Sequence, residues 1–123
     1  LRYTAWGVMG NTGTPDLTIK FKLGSDITLT LTGTMATITT SKVWRLDVVL
    51  TVLTTGATGT CRAQATLFYG TTAIAGVTWN GTDGGAITAD FTVAKAIALT
   101  GTWSASSSSN TISHTNSNAL LAA

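Results

Sequence analysis

The chain has 123 residues, of which 44% are hydrophobic and only 10% are charged, and its formal net charge is +2. A chain of this length forms one domain with a real core, and its low charge argues against disorder. The seven Lys and Arg are scattered rather than gathered into a stripe, so we expect no nucleic-acid partner.

The residue types favour strands over helices. All five acidic residues are aspartate, and threonine is the commonest residue. Glutamate is a strong helix former, whereas threonine suits a pleated, half-buried strand surface. Cys61 stands alone, so an internal disulfide is excluded, and we interpret this residue as a small buried hydrophobe.

The start of the chain and the length of its apolar runs indicate whether the sequence carries a signal peptide or a membrane-spanning segment. No signal peptide opens the sequence and no apolar run approaches the length of a membrane span, so we expect no membrane partner. The first residue, Leu1, is not methionine. We therefore expect the numbering to begin inside a longer product, after an N-terminal segment.

Seven strands are predicted from the period-two alternation of apolar and polar residues. In chain order they are residues 1–9, 17–23, 27–33, 43–54, 61–69, 96–103 and 110–115. Pro15 lies in the turn before the second strand, and Ser41 and Lys42 are expected to break the chain before the fourth. Residues 71–92 are predicted as a loose crossing with short strands, and no helix longer than a turn is expected.

This series of short strands predicts an all-β fold. The long fourth strand and the loose crossing fit an antiparallel β-sandwich of jelly-roll-like form, and residues 1–123 are predicted as a single β-sandwich domain. Its core is predicted from residues that share a phase on their strands, namely Trp44, Leu46, Val48, Leu50, Leu67, Leu99 and Ile112. Val49, Leu53 and Phe68 carry apolar character onto the second face, which predicts a surface that covers them.

Residues that could carry catalysis are sparse. His114 is the only histidine, and its place on an alternating strand puts it on the apolar face or at its rim. One His and one Cys cannot complete a four-ligand zinc site, and residues 83–85 with Asp90 lack the acids of a calcium loop. Asp47 is placed to pair with Arg45 on the strand surface. We predict a protein that is not an enzyme, with no catalytic residue, metal or cofactor.

Three stretches together resemble a known family. They are GNTGTPDLTIKFKLG at 10–24, WRLDVVLTVLTTGATGTCRAQATLFYG at 44–70 and TGTWSASSSSNTI at 100–112. In order and spacing they are similar to a family of small β-sandwich virion proteins that tailed bacteriophages and prophages encode. The resemblance spans about residues 5–115, and Cys61 and the glycine-rich stretch 76–85 depart from the pattern.

The resemblance implies a structural protein located in the virion, in the first place a capsid decoration (cement) protein that oligomerises on the head surface. It implies a homo-oligomer, with a trimer favoured, and other virion proteins such as the major capsid protein as partners. The alternative is a tail-fibre or receptor-binding module that recognises host surface glycans. Because aromatic faces stack on sugars, the candidate ligand-binding residues of that alternative are Trp79, Asn80 and Asp83.

Overall fold

The computed structural model describes residues 1–70, 76–82 and 86–121, and describes the backbone alone for 38–40 and 76–82. Its strands are β1 (Arg2–Asn11), β2 (Asp16–Leu23), β3 (Ile27–Thr34), β4 (Ile38–Thr54), β5 (Gly59–Gly70), β6 (Gly76–Thr82), β7 (Ile87–Ala89), β8 (Ile97–Trp103) and β9 (Thr111–Leu120). Within these ranges there is no helix, and so none with the length and apolar character to cross a membrane. The all-β prediction is confirmed.

The strands form two antiparallel sheets that enclose the core. Sheet A has the order β6-β5-β4-β1-β9, and β7 pairs with the start of β5. Sheet B has the order β3-β2-β8. The chain passes between the sheets after β1, β3, β7 and β8, which is the crossing behaviour expected of a jelly-roll-like sandwich.

Sheet B follows the alternation in the sequence. Leu17, Ile19 and Phe21 on β2 are buried, and the residues between them face outward. Thr18 pairs with Thr32 of β3, and the two hydroxyl oxygens lie 3.0 Å apart. A threonine pair of this kind stabilises neighbouring strands through its hydroxyls while its methyl groups pack.

The core lies between the two sheets. The predicted core residues of sheet A are all at most 4% exposed, namely Trp44, Leu46, Val48, Leu50 and Leu67. Tyr3 of sheet A meets Phe21 of sheet B with the ring centroids 5.1 Å apart. Cys61 is buried, as predicted.

Two strand boundaries differ from the prediction. β4 begins at Ile38, so Ser41 and Lys42 continue the strand instead of breaking it. β9 continues to Leu120 instead of ending at Thr115. In both cases β1 supplies the backbone partner, since it pairs with β4 on one side and with β9 along its other side. Partners distant in sequence override a weak local pattern.

Leu99 and Ile112 were predicted as core residues, but both are only partly buried, and they pack against the core from its edge. They lie on β8 and β9, which are edge strands of the two sheets. On the second face of sheet A, Val49 and Leu53 are 44% and 52% exposed in the single chain, and Phe68 is half-buried, so their covering by another surface stays a prediction.

Candidate functional site

One side of the sandwich is closed and the other is open. On the closed side, β3 contacts β5 and β6, and its inward residues Ile27, Leu29 and Leu31 are at most 2% exposed. On the open side, the inward residue Ile97 of β8 is 37% exposed. The two sheets therefore part between β8 and β9, and apolar side chains meet water there.

The open side holds a cleft of about 680 Å³. Its floor is Tyr3, Ile19 and Trp44, and its two walls are Ile97 with Leu99 on β8 and Ser117 with Ala119 on β9. The cleft lies where β9 carries the small inward side chains Ser117 and Ala119 and β8 carries Ile97 and Leu99. A mostly apolar hollow of this volume is within the range of binding sites in proteins.

The floor of the cleft is tied to β9 by a buried indole. Trp44 Nε1 donates a hydrogen bond of 3.0 Å to the backbone oxygen of Ser113. Gly7, which pairs with His114 across β1 and β9, permits this arrangement. A Cβ atom at Gly7 would lie 1.8 Å from the Ser113 oxygen, so any other residue would push the strands apart.

The two walls meet at one end of the cleft. A Cβ atom at Gly101 of β8 would lie 3.2 Å from Cγ2 of Ile112 on β9, so Ile112 packs against the bare backbone there. His114 follows on the same inward face and lines the cleft, in agreement with its predicted place at the rim of the apolar face. Its side chain is exposed. The arrangement provides a surface for apolar contact.

Both strands that border the cleft are free of charged side chains. β8 reads IALTGTW and β9 reads TISHTNSNAL, so neither contains Asp, Glu, Lys or Arg. In the part of the chain that is described, β8 pairs with β2 alone and β9 with β1 alone, which leaves one backbone edge of each strand open. Soluble proteins usually protect such edges with lysine, proline or a covering element.

A turn and a loop on sheet B are joined by an ion pair. Lys95 Nζ lies 2.7 Å from both carboxylate oxygens of Asp26, and the backbone N–H of Asp90 donates to Asp26 as well. The hydrogen bond from Lys95, helped by the one from Asp90, lowers the pKa of Asp26 from its ordinary value. This contact fixes the segment that enters β8 and so positions one wall of the cleft.

The outer face of sheet A carries a row of aromatic and cationic side chains. Trp6, Arg45 and Phe68 are paired across β1, β4 and β5. The Arg45 guanidinium lies 4.5 Å from the centroid of the Phe68 ring, and its Nε is 3.2 Å from Asp47, as the predicted ion pair requires. The neighbouring Val43 is 64% exposed. The row is a flat surface, in contrast to the cleft.

The residues predicted for glycan binding lie largely beyond what the structure describes. Trp79 and Asn80 are on β6, where the backbone alone is described and pairs with Leu67 and Thr66. Asp83 lies outside the described residues. The structure thus brings none of the three into a described site, and the cleft between β8 and β9 was not predicted. Its one signal in the sequence was the uncharged stretch 110–120.

Comparisons with known proteins leave the chain without an assigned relative: no family model, curated protein or solved structure matches it. Among the described residues there is also no group of three His, Cys, Asp or Glu that could hold a metal ion. What the geometry offers is apolar contact in the cleft and backbone pairing at its borders.

Proposed function

We propose that this chain is a non-enzymatic structural protein of a bacteriophage virion, in the first place a capsid decoration protein that oligomerises on the head surface. The observation that carries this proposal is the open side of the sandwich, where the uncharged strands β8 and β9 each have a backbone edge that no other described strand pairs with, beside exposed apolar side chains. Assembly with other copies covers such edges. The resemblance of the sequence to small virion proteins of tailed bacteriophages is the reason for proposing a virion as the assembly.

The low charge supports the same role. A formal net charge of +2 on 123 residues gives little repulsion between copies held close together on a shell. The β-sandwich fold and the threonine-faced sheet B suit a rigid module that is partly covered by neighbours. Partners would be other copies of the chain and the major capsid protein.

The number of copies in a particle tests the proposal. Quantitative mass spectrometry of virions that contain the chain should give hundreds of copies for a decoration protein. Purified chain should also bind to shells assembled from the major capsid protein alone. A count of a few dozen copies, or binding to tails and not to shells, would contradict the decoration role and favour the second candidate.

The second candidate is a tail-fibre module that adheres to host surface glycans, and the outer row of Trp6, Arg45 and Phe68 is the described feature that favours it. Aromatic rings at a flat surface stack on sugar rings, and Arg45 could pair with an acidic sugar. Glycan-array binding that is lost in Trp6→Ala and kept in Val43→Ala would support this candidate. No binding by the parent chain would dismiss it.

A further inference from the structure

We propose that two copies of this chain pair edge to edge through β9, antiparallel, about a two-fold axis between Thr115 and Asn116. The inference rests on the assembly role proposed above and identifies the surface and the partner. The partner is a second copy of the chain, and the contact extends sheet A of one copy into sheet A of the other. The argument comes from the register of β9 and from its composition.

The register with β1 assigns each residue of β9 to a face. Tyr3, Ala5, Gly7 and Met9 of β1 point into the core, and their partners on β9 are Ala119, Ser117, His114 and Ile112. The partners of the outward positions are Leu120, Asn118, Ser113 and Thr111. A register shift between Trp6 and Gly7 leaves Thr115 as the extra residue of a bulge.

These face assignments make β9 self-complementary. When two copies pair about the middle of the ten-residue strand, Ile112 meets Ala119 and His114 meets Ser117, inward against inward. The outward residues meet in the same way, with Ser113 opposite Asn118 and Thr111 opposite Leu120. Inward residues lie opposite inward residues because the bulge at Thr115 is at the centre of the strand and reverses the alternation of its faces there. A slip by one residue would place inward residues against outward ones.

Length favours β9 over the other open edge that borders the cleft. β9 offers ten residues with neither charge nor proline to oppose its pairing with a second β9, whereas β8 offers seven. Pairing through β9 therefore forms the longer backbone ladder.

The pairing also explains the small side chains that open the cleft. Ala119 lines the cleft of one copy, and in this register the partner copy's strand places an isoleucine beside it. Ser117 likewise receives a histidine side chain as its neighbour. The hollow left by small residues in one copy is thus bordered by larger residues of the other, in two equivalent places. An isologous contact of this kind closes as a dimer.

Disulfide trapping tests the register. The variants Ser113→Cys and Asn118→Cys, purified separately, should stay uncrosslinked, and a mixture of the two should form disulfide-linked dimers under mild oxidation. Directly opposite residues of antiparallel strands have Cα atoms about 4.5–5.5 Å apart, a distance that a disulfide spans. A mixture of Ser113→Cys with Ser117→Cys should not crosslink, because those side chains lie on opposite faces. Crosslinking in that mixture instead would overturn the proposed register.

Mass in solution tests the contact itself. Sedimentation velocity at micromolar concentration should give the mass of two chains for the parent protein. Thr115→Lys adds a charge beside the axis, where the lysines of the two copies are diagonal neighbours, and should shift the equilibrium at least tenfold toward monomer. Ser108→Lys adds the same charge to an exposed turn and should leave the dimer intact.

A monomeric or trimeric parent protein would overturn the two-fold pairing, and so would a dimer that Thr115→Lys leaves unchanged. None of these results would decide the virion role, which the copy number and shell binding test separately. Conversely, if the chain forms the dimer in solution but is absent from virions, the β9 contact is supported and the decoration role is contradicted.

Discussion

Leu50 and Leu99 are the same type of side chain on opposite sheets, and they differ in their remaining contact with water. Leu50 is 4% exposed among the residues of β4, whereas Leu99 is partly buried at the edge of the cleft. Burial of a leucine side chain contributes about 1.5–3 kcal/mol, and removal of a fully buried one leaves a cavity as well. The loss of unfolding free energy on replacement by alanine should therefore depend on where in the sandwich each leucine lies.

We expect Leu50→Ala to lower the free energy of unfolding by roughly 2–5 kcal/mol. Leu99→Ala should cost less than half as much, because water already reaches that side chain and can occupy the space. Urea denaturation of both variants, followed by tryptophan fluorescence, measures the two values. Equal costs would mean that the open side of the sandwich is as well packed as its centre.

Asp26 is a residue whose ionisation is coupled to the fold. Its pKa lies below the ordinary value of 3.8, first because Lys95 donates to it and second because the Asp90 backbone does. A carboxylate with a lowered pKa stabilises the fold at every pH above its unfolded pKa. That contribution is lost as the pH falls through the folded value.

Acid titration of Asp26→Asn checks this coupling. The variant should melt at a lower temperature than the parent near neutral pH. The gap should begin to narrow near pH 4, where the carboxylate of the unfolded chain takes up a proton, and should close as the pH falls through the lowered pKa of the folded chain. Asp47→Asn is the control, since its exposed ion pair with Arg45 contributes little. A gap of the same size at pH 3 and pH 7 would contradict the assignment.

At the scale of strands, β1 lies between β4 and β9 in sheet A and pairs with both of them. At Gly7 of β1, an added Cβ atom would lie 1.8 Å from the Ser113 backbone oxygen of β9. Gly7→Ala should destabilise the fold by about 3 kcal/mol, since its Cβ would overlap a backbone oxygen that cannot move aside. Gly101→Ala should cost less than about 1 kcal/mol, because the methyl group of Ile112 that it meets can shift. Chemical denaturation of the two variants gives the comparison.

The role of β9 should depend on its backbone more than on its histidine. His114 faces the cleft, and among the described residues it belongs to no group of three His, Cys, Asp or Glu that could hold a metal ion. His114→Ala should therefore leave shell binding within about threefold of the parent and should weaken self-association less than Thr115→Lys does, because edge pairing relies mainly on main-chain hydrogen bonds. Sedimentation and shell-binding assays measure both. A folded variant that loses either property would reveal a specific function for the imidazole.

The strands also mark where sequence reasoning succeeds and where it fails. β2 and β3 have strict alternation of apolar residues with threonine or lysine, and their faces were predicted correctly. Ser41 and Lys42 were predicted as a break, and the ladder with β1 keeps them in β4. The second half of β9 has no alternation of apolar residues, so its length was decided by its partner strand.

At the scale of the whole molecule, a dimer held by β9 makes stability depend on concentration. A partner that binds only the folded chain raises the melting temperature by mass action. We expect the melting temperature of the parent to rise over a hundredfold increase in protein concentration, whereas Thr115→Lys should melt at a nearly constant temperature. Differential scanning fluorimetry over that range measures both. A parent whose melting temperature does not change would count against the dimer.

The sequence by itself determined the fold class and most of the core. Alternation is a local property, so residues such as Trp44, Leu46 and Val48 could be assigned to the buried face before any partner strand was known. Low charge and abundant threonine likewise indicated strands. These conclusions depend on neighbouring residues alone.

Tertiary structure alone decided which side of the sandwich is open. Leu99 and Ile112 have the same local pattern as the buried leucines, yet they lie on edge strands where the sheets part. The cleft, the close approach of Gly7 to Ser113 and the faces of β9 all depend on strand order and register, which join residues about 100 positions apart. A local pattern fixes which face of a strand is apolar, whereas only the packed sheets fix what covers it.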